Sequence, residues 1–177
     1  ARSTIASLGF LSNYYFYFSG QEYASESGLL KPLLHTWSLS VEEQFYIIFP
    51  ILIILFYNFK RISLFKFILI LFFISIIFAE YLSAKNEMLN FYTLPTRAWE
   101  LLLGTLVAIL ELKKIKNKSL ILSDFCVLLG LITIILSFIF YDEGVAHPTY
   151  RSLPPVIGTL LILYFVISKS LVVKFLS

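Results

Sequence analysis

Five apolar runs, separated by short polar breaks, limit the fold more than anything else in the chain. They cover about Val41 to Asn58, Leu64 to Leu82, Thr96 to Leu112, Ser119 to Tyr141 and Pro155 to Ser168. At about 1.5 Å per residue the first is about 27 Å long as a helix, close to the hydrocarbon thickness of a bilayer. Only 14% of the residues are charged, where a soluble domain carries about a quarter. The class is a polytopic membrane protein.

Residues 3–19 are apolar but diluted by Ser3, Thr4, Ser7, Ser12, Asn13 and Ser19. Tyr14, Tyr15 and Tyr17 favour the membrane interface, where rings with polar tips settle. The expectation is therefore an all-α transmembrane helix bundle of about five spans plus an N-terminal interfacial helix, in one membrane domain over residues 1–177. Pro50 removes a backbone hydrogen bond in mid-span and predicts a kink. Gly104 and Ala108, four apart, predict a close helix contact.

Charge sets the orientation. If the spans alternate, Lys60, Arg61, Lys66, Lys113, Lys114, Lys116, Lys118, Lys169 and Lys174 all fall on one side. The other side receives Lys31, Lys85 and Arg151 among acidic residues. The positive-inside rule puts the larger basic group in the cytoplasm. The expected location is the plasma (inner) membrane, crossed several times.

The polar residues crowd at one boundary. His35, Thr36, Ser38, Ser40, Glu42, Glu43 and Gln44 stand directly before an uncharged run from Phe45 to Tyr57. Such groups are costly in hydrocarbon unless paired or facing an aqueous site. Ser40 and Glu43 have capping-box spacing, with Ser40 as N-cap. Glu42 points about 100° away from Glu43 on a helix and has no such simple role. Alternation brings this boundary to the same depth as Arg97 and Glu100, at the start of the third span. Arg97 and Glu100, three apart, can pair on one helix face, or Arg97 can hold an oxyanion in its guanidinium fork. Trp37 and Trp99 suit interfacial anchoring or stacking on a sugar ring. Glu80 and Asp124 read as solvated charges near span ends, and His147 as a loop histidine.

Two blocks carry a family resemblance. Leu34-His35-Thr36-Trp37-Ser38-Leu39-Ser40-Val41-Glu42-Glu43-Gln44-Phe45-Tyr46 resembles the signature of the acyltransferase-3 family, integral-membrane O-acyltransferases of cell-surface glycans. Phe91-Tyr92-Thr93-Leu94-Pro95-Thr96-Arg97-Ala98-Trp99-Glu100-Leu101-Leu102-Leu103-Gly104 resembles that family's next signature, in the same order. Ser7 to Phe18 resembles the segment before the first block. The resemblance implies transfer of an acyl group, acetyl first, from acetyl coenzyme A to a hydroxyl of a surface polysaccharide or lipopolysaccharide, with no bound cofactor. It implies substrate-binding roles for His35, Trp37, Ser38, Glu42, Glu43, Arg97 and Glu100. The family's catalytic base is a histidine on an N-terminal helix that no stretch of this chain matches. No catalytic residue is assigned here, and the chain is expected to be a piece of a longer acyltransferase-3 domain, inactive alone.

Two other functions suit the same residues. In a transporter or channel, Glu42, Glu43, Arg97 and Glu100 would line a pathway. A non-catalytic module would bind glycan or a partner subunit and leave the acyl donor untouched. Metal-ligand spacing, phosphate-binding glycine loops and nucleophile elbows are absent from the sequence, and so is any sign of nucleic-acid binding. Cys126 lies in an apolar run, reads as a small packing residue, and can form no internal disulfide.

Overall fold

The computed structural model describes residues 2–19, 33–57, 63–112, 120–141 and 147–166. Of the charges that set the expected orientation, Lys31, Lys60, Arg61, Lys113, Lys114, Lys116, Lys118, Lys169 and Lys174 lie outside these residues. The order is α1 (Arg2–Leu8), α2 (Ser12–Phe18), α3 (Thr36–Tyr57), α4 (Leu64–Ser83), α5 (Glu87–Tyr92), α6 (Leu94–Leu112), α7 (Leu120–Phe140), a 3-10 turn (Tyr150–Ser152) and α8 (Leu153–Phe165). The described residues contain helices and no strand. The protein is an all-α membrane helix bundle.

Helices α3, α4 and α7 are long and apolar enough to cross a membrane. Helix α6 has 19 residues but carries Arg97, Glu100 and Glu111, and α8 has 13. Much of the apolar surface points outward: Ile54, Ile77, Ile121 and Phe138 are among the exposed side chains. In water that pattern would be an aggregation hazard; in lipid it is the solvated face. Pro50 sits inside α3, which continues through it to Tyr57.

Two helix pairs form the body. Helices α4 and α6 pack along their length, with Ile68, Phe72, Trp99, Leu102 and Leu106 in the core. Ser75 pins the pair by inserting its hydroxyl into the first turn of α6. Its Oγ donates to the Pro95 carbonyl at 2.6 Å and accepts the Trp99 amide at 2.9 Å. Helices α7 and α8 cross at Gly130 and Gly158. A Cβ built on Gly130 would lie 2.6 Å from the Gly158 carbonyl oxygen, and one on Gly158 would lie 2.7 Å from that of Gly130. Only hydrogen side chains admit this approach. The Gly104 and Ala108 pair, expected to do the same, is exposed, and a Cβ on Gly104 meets nothing within 4 Å.

The N-terminal helix is broken in two. Phe10 takes a positive φ of 56° between α1 and α2, and its carbonyl accepts Gln44 Nε2 at 2.7 Å. Ser12, Asn13 and Phe16 are buried against α3, so α2 is a packed member of the bundle.

The glycine crossing is testable. Gly158→Leu should lower stability by about 1–3 kcal/mol through overpacking, while Gly104→Leu should stay within about 0.5 kcal/mol of wild type. Thermal unfolding in detergent compares the two. Equal effects would show that the crossing does not hold α7 to α8.

Candidate functional site

Helix α3 starts at Thr36, a full turn before the expected start, so Ser40 is inside the helix and is not its N-cap. The Ser40–Glu43 capping box does not form. Thr36 takes the first turn instead, its Oγ1 donating to the Leu33 carbonyl at 2.7 Å. Ser40 faces α2: its Oγ shares a 2.7 Å hydrogen bond with Ser12 Oγ and accepts the Ser12 amide at 3.3 Å.

Thr36, Ser40 and Gln44 stand four apart, which puts them on one stripe of α3. The whole stripe is used against the N-terminal helices. Thr36 Oγ1 meets Ser7 Oγ at 2.8 Å, and the Thr36 carbonyl accepts Ser12 Oγ at 2.9 Å. Gln44 Nε2 donates to Asn13 Oδ1 at 2.9 Å. Asn13 Nδ2 in turn donates to the Tyr92 carbonyl at 2.9 Å. A fully buried asparagine thereby joins the first signature block to the second.

The two blocks touch. Trp37 is buried and packs on Phe91 (centroids 4.5 Å apart) and edge-on to Tyr92 (5.4 Å). Neither Trp37 nor Trp99 is exposed as an interfacial anchor would be; Trp99 is wholly buried, with no acceptor for its Nε1.

Arg97 lies over this platform. Its guanidinium carbon is 4.5 Å from the Trp37 ring centroid and 5.0 Å from that of Phe91. Its Nε donates to the Phe91 carbonyl at 3.0 Å. One N–H and two ring faces thus fix the plane of the group, and the terminal nitrogens make no hydrogen bond to a described residue. Glu100, one turn on, is the acidic charge that acts on Arg97. A cation desolvated over aromatic faces gains about 1–2 kcal/mol.

The corner that supplies Phe91 is built by small polar residues. Asn86 Oδ1 caps α5 by accepting the Leu89 amide at 2.9 Å. The backbone turns at Thr93, and buried Thr96 Oγ1 reaches back to the Asn90 carbonyl at 2.6 Å. Asn90 Nδ2 donates to the Pro148 carbonyl at 2.9 Å. That bond brings the segment ahead of α8 onto the same corner.

His147 therefore belongs to this end of the bundle, the side on which alternation of the spans puts its loop; its closeness to Arg97 is what the sequence did not signal. Its ring centroid is 6.4 Å from that of Tyr141. Partial burial and then the nearby Arg97 cation push its pKa below the ordinary value. The remaining sequence candidates sit at the rim. His35 and Glu42 are exposed, while Ser38 and Glu43 are half-buried. Ser38 Oγ donates to the His35 carbonyl at 3.3 Å. Among the described residues no group of three His, Cys, Asp or Glu is placed to hold a metal.

A lowered histidine pKa has a definite sign. Between the folded and unfolded values the folded chain binds fewer protons, so stability falls as pH drops through that interval below about 6.5. Above it the group is neutral in both states and contributes nothing. Arg97→Ala removes one of the two causes and should raise the His147 pKa toward the ordinary value. A nuclear magnetic resonance titration of histidine-labelled protein measures this directly.

A family model described as an acyltransferase domain matches residues 4–174. O-acetyltransferase OatA of Staphylococcus aureus (strain NCTC 8325 / PS 47) is 32% identical over 130 residues, which is 69% of this chain and 21% of that protein. Peptidoglycan O-acetyltransferase OatA of Listeria monocytogenes is 33% identical over 108 residues, 59% of this chain and 17% of the relative. An uncharacterized Haemophilus influenzae protein is 42% identical over 116 residues, 61% of this chain and 47% of its own length. The chain thus spans about a fifth of the OatA proteins. No solved structure matches it.

Proposed function

The chain belongs to the acyltransferase-3 family, and on that footing we propose that it forms part of an integral-membrane O-acyltransferase. The reaction moves an acyl group, acetyl first, from acyl coenzyme A to a hydroxyl of a cell-surface polysaccharide. The relatives' names make a cell-wall glycan such as peptidoglycan the leading acceptor. The protein works in the plasma membrane, with the Trp37–Arg97 end facing outward.

The observation that carries this reading is Arg97. Its Nε is hydrogen-bonded and its guanidinium lies against the Trp37 and Phe91 rings, while its terminal nitrogens make no hydrogen bond to a described residue. In acyl transfer the acceptor hydroxyl attacks the thioester carbonyl and loses its proton to a base. The carbonyl oxygen gains negative charge, then the carbonyl reforms as the thiolate leaves. A preorganised guanidinium held out of bulk water suits that oxyanion, because it needs little reorganisation when the charge develops. The base is the family's histidine, which this chain does not supply. Trp37 holds Arg97 in plane, and Glu100 balances its charge. His35, Ser38, Glu42 and Glu43 line the rim, where carboxylates and a hydroxyl suit the hydroxyls of a glycan.

The test uses the full-length protein in membranes, supplied with labelled acetyl coenzyme A, and follows label into surface polysaccharide. Arg97→Ala should reduce the rate about 10²–10³-fold, the usual loss of an oxyanion donor, and Arg97→Lys should restore little of it. Glu42→Gln should cost less than Arg97→Ala. Unchanged labelling in Arg97→Ala, at equal protein level, would reduce Arg97 to a packing residue.

A further inference from the structure

We propose that the His147 imidazole hydrogen-bonds the acceptor hydroxyl beside the Arg97 guanidinium, which makes the segment from His147 to Ser152 the acceptor wall of the site. This rests on the acyl-transfer reading above. It goes beyond it by naming a residue outside both signature blocks and the group that residue recognises.

Three observations support the assignment. The first is position. Asn90 and Phe91 are consecutive, and each holds one partner: Phe91 the Arg97 Nε through its carbonyl, Asn90 the Pro148 carbonyl through its amide. His147 is therefore tied to Arg97 through one short stretch of backbone. The second is rigidity. Pro148, Thr149 and Ser152 are buried. Thr149 and Ser152 cap one another, the Ser152 Oγ donating to the Thr149 carbonyl at 2.7 Å and accepting the Thr149 amide at 3.3 Å. A histidine on so fixed a segment keeps its place, as a binding group must.

The third is unused hydrogen-bonding capacity. Neither ring nitrogen of His147 makes a hydrogen bond to a described residue. A histidine kept to brace a loop would be expected to bond that loop's backbone. Asn90 also leaves its Oδ1 buried without a donor. The amide cannot simply turn over, because that would set its oxygen against the Pro148 carbonyl. An acceptor oxygen shut away from water in this manner costs about 1–3 kcal/mol, which marks this corner as one held under polar strain.

Among the described residues, the charged or titratable groups beside His147 are Arg97 from α6 and Tyr141 from the end of α7, with Tyr150 and Arg151 following on its own segment. Next to a cation the imidazole stays uncharged at neutral pH. It then offers one donor and one acceptor, the pair that a sugar hydroxyl engages.

The experiment has an activity arm and a binding arm, both with the full-length protein. In membranes supplied with labelled acetyl coenzyme A, His147→Leu should cut transfer about tenfold, the value of one hydrogen bond, with the donor KM unchanged. His147→Gln keeps a donor and an acceptor and should recover most of the rate. Unchanged transfer in His147→Leu overturns the proposal, as does equal loss in both variants at normal protein level, which marks a packing role. In histidine-labelled protein, a peptidoglycan disaccharide should shift the His147 ring signals in the wild type, and that signal should be absent from His147→Gln. That shift without transfer by the wild type would retain the glycan contact and reject the acyl-transfer reading. A silent His147 would overturn the contact whatever the activity.

Discussion

A polar group inside a bilayer has no water to turn to, and this bundle depends on how that constraint is met. Each hydrogen bond between helices adds only about 0.6–2 kcal/mol in membranes. Their value here is geometric, because each unpaired alternative is worse. Asn13 shows the point. Its one side chain ties α2 to Gln44 of α3 and to the Tyr92 carbonyl at the end of α5. Slide α2 by a residue and all of these groups lose their partners at once. The aromatic contacts of Trp37, which carry Arg97, are placed by the same register.

The apolar runs made the helices legible, because span length and lack of charge are properties of a local window. The described ends of α4, α6 and α7 fall close to the boundaries read from sequence. What each face does was less legible. Ser40 and Glu43 have the spacing of a capping box, yet a helix start depends on where the chain leaves its preceding turn. Here Leu33, at φ 68°, and the Thr36 hydroxyl set the start a turn earlier. Ser40 was then free to face Ser12. The i, i+4, i+8 stripe of Thr36, Ser40 and Gln44 was readable, but only as a stripe wanting a polar partner. Ser7, Ser12 and Asn13 answer it, and in sequence they looked like dilution of an apolar helix.

Small residues carry the same lesson. Gly104 and Ala108 have packing spacing within one helix, while the contact that forms uses one glycine from each of two helices. Spacing within a helix says that a face is smooth. Whether a neighbour lies against it is a property of the whole bundle.

The site gathers at the end of the bundle where helix α6 begins, and the reason is again the pairing constraint. A charged side chain such as Arg97 is tolerable only where other groups replace its water, and at the α5–α6 corner the Phe91 carbonyl accepts its Nε. The corner exists because Thr96 Oγ1 reaches back to the Asn90 and Thr93 carbonyls and Thr93 Oγ1 to that of Leu89. The carbonyl and the rings of Trp37 and Phe91 fix one edge and the plane of the guanidinium. The polar interior that lets the helices assemble is thus also what orients the Arg97 guanidinium.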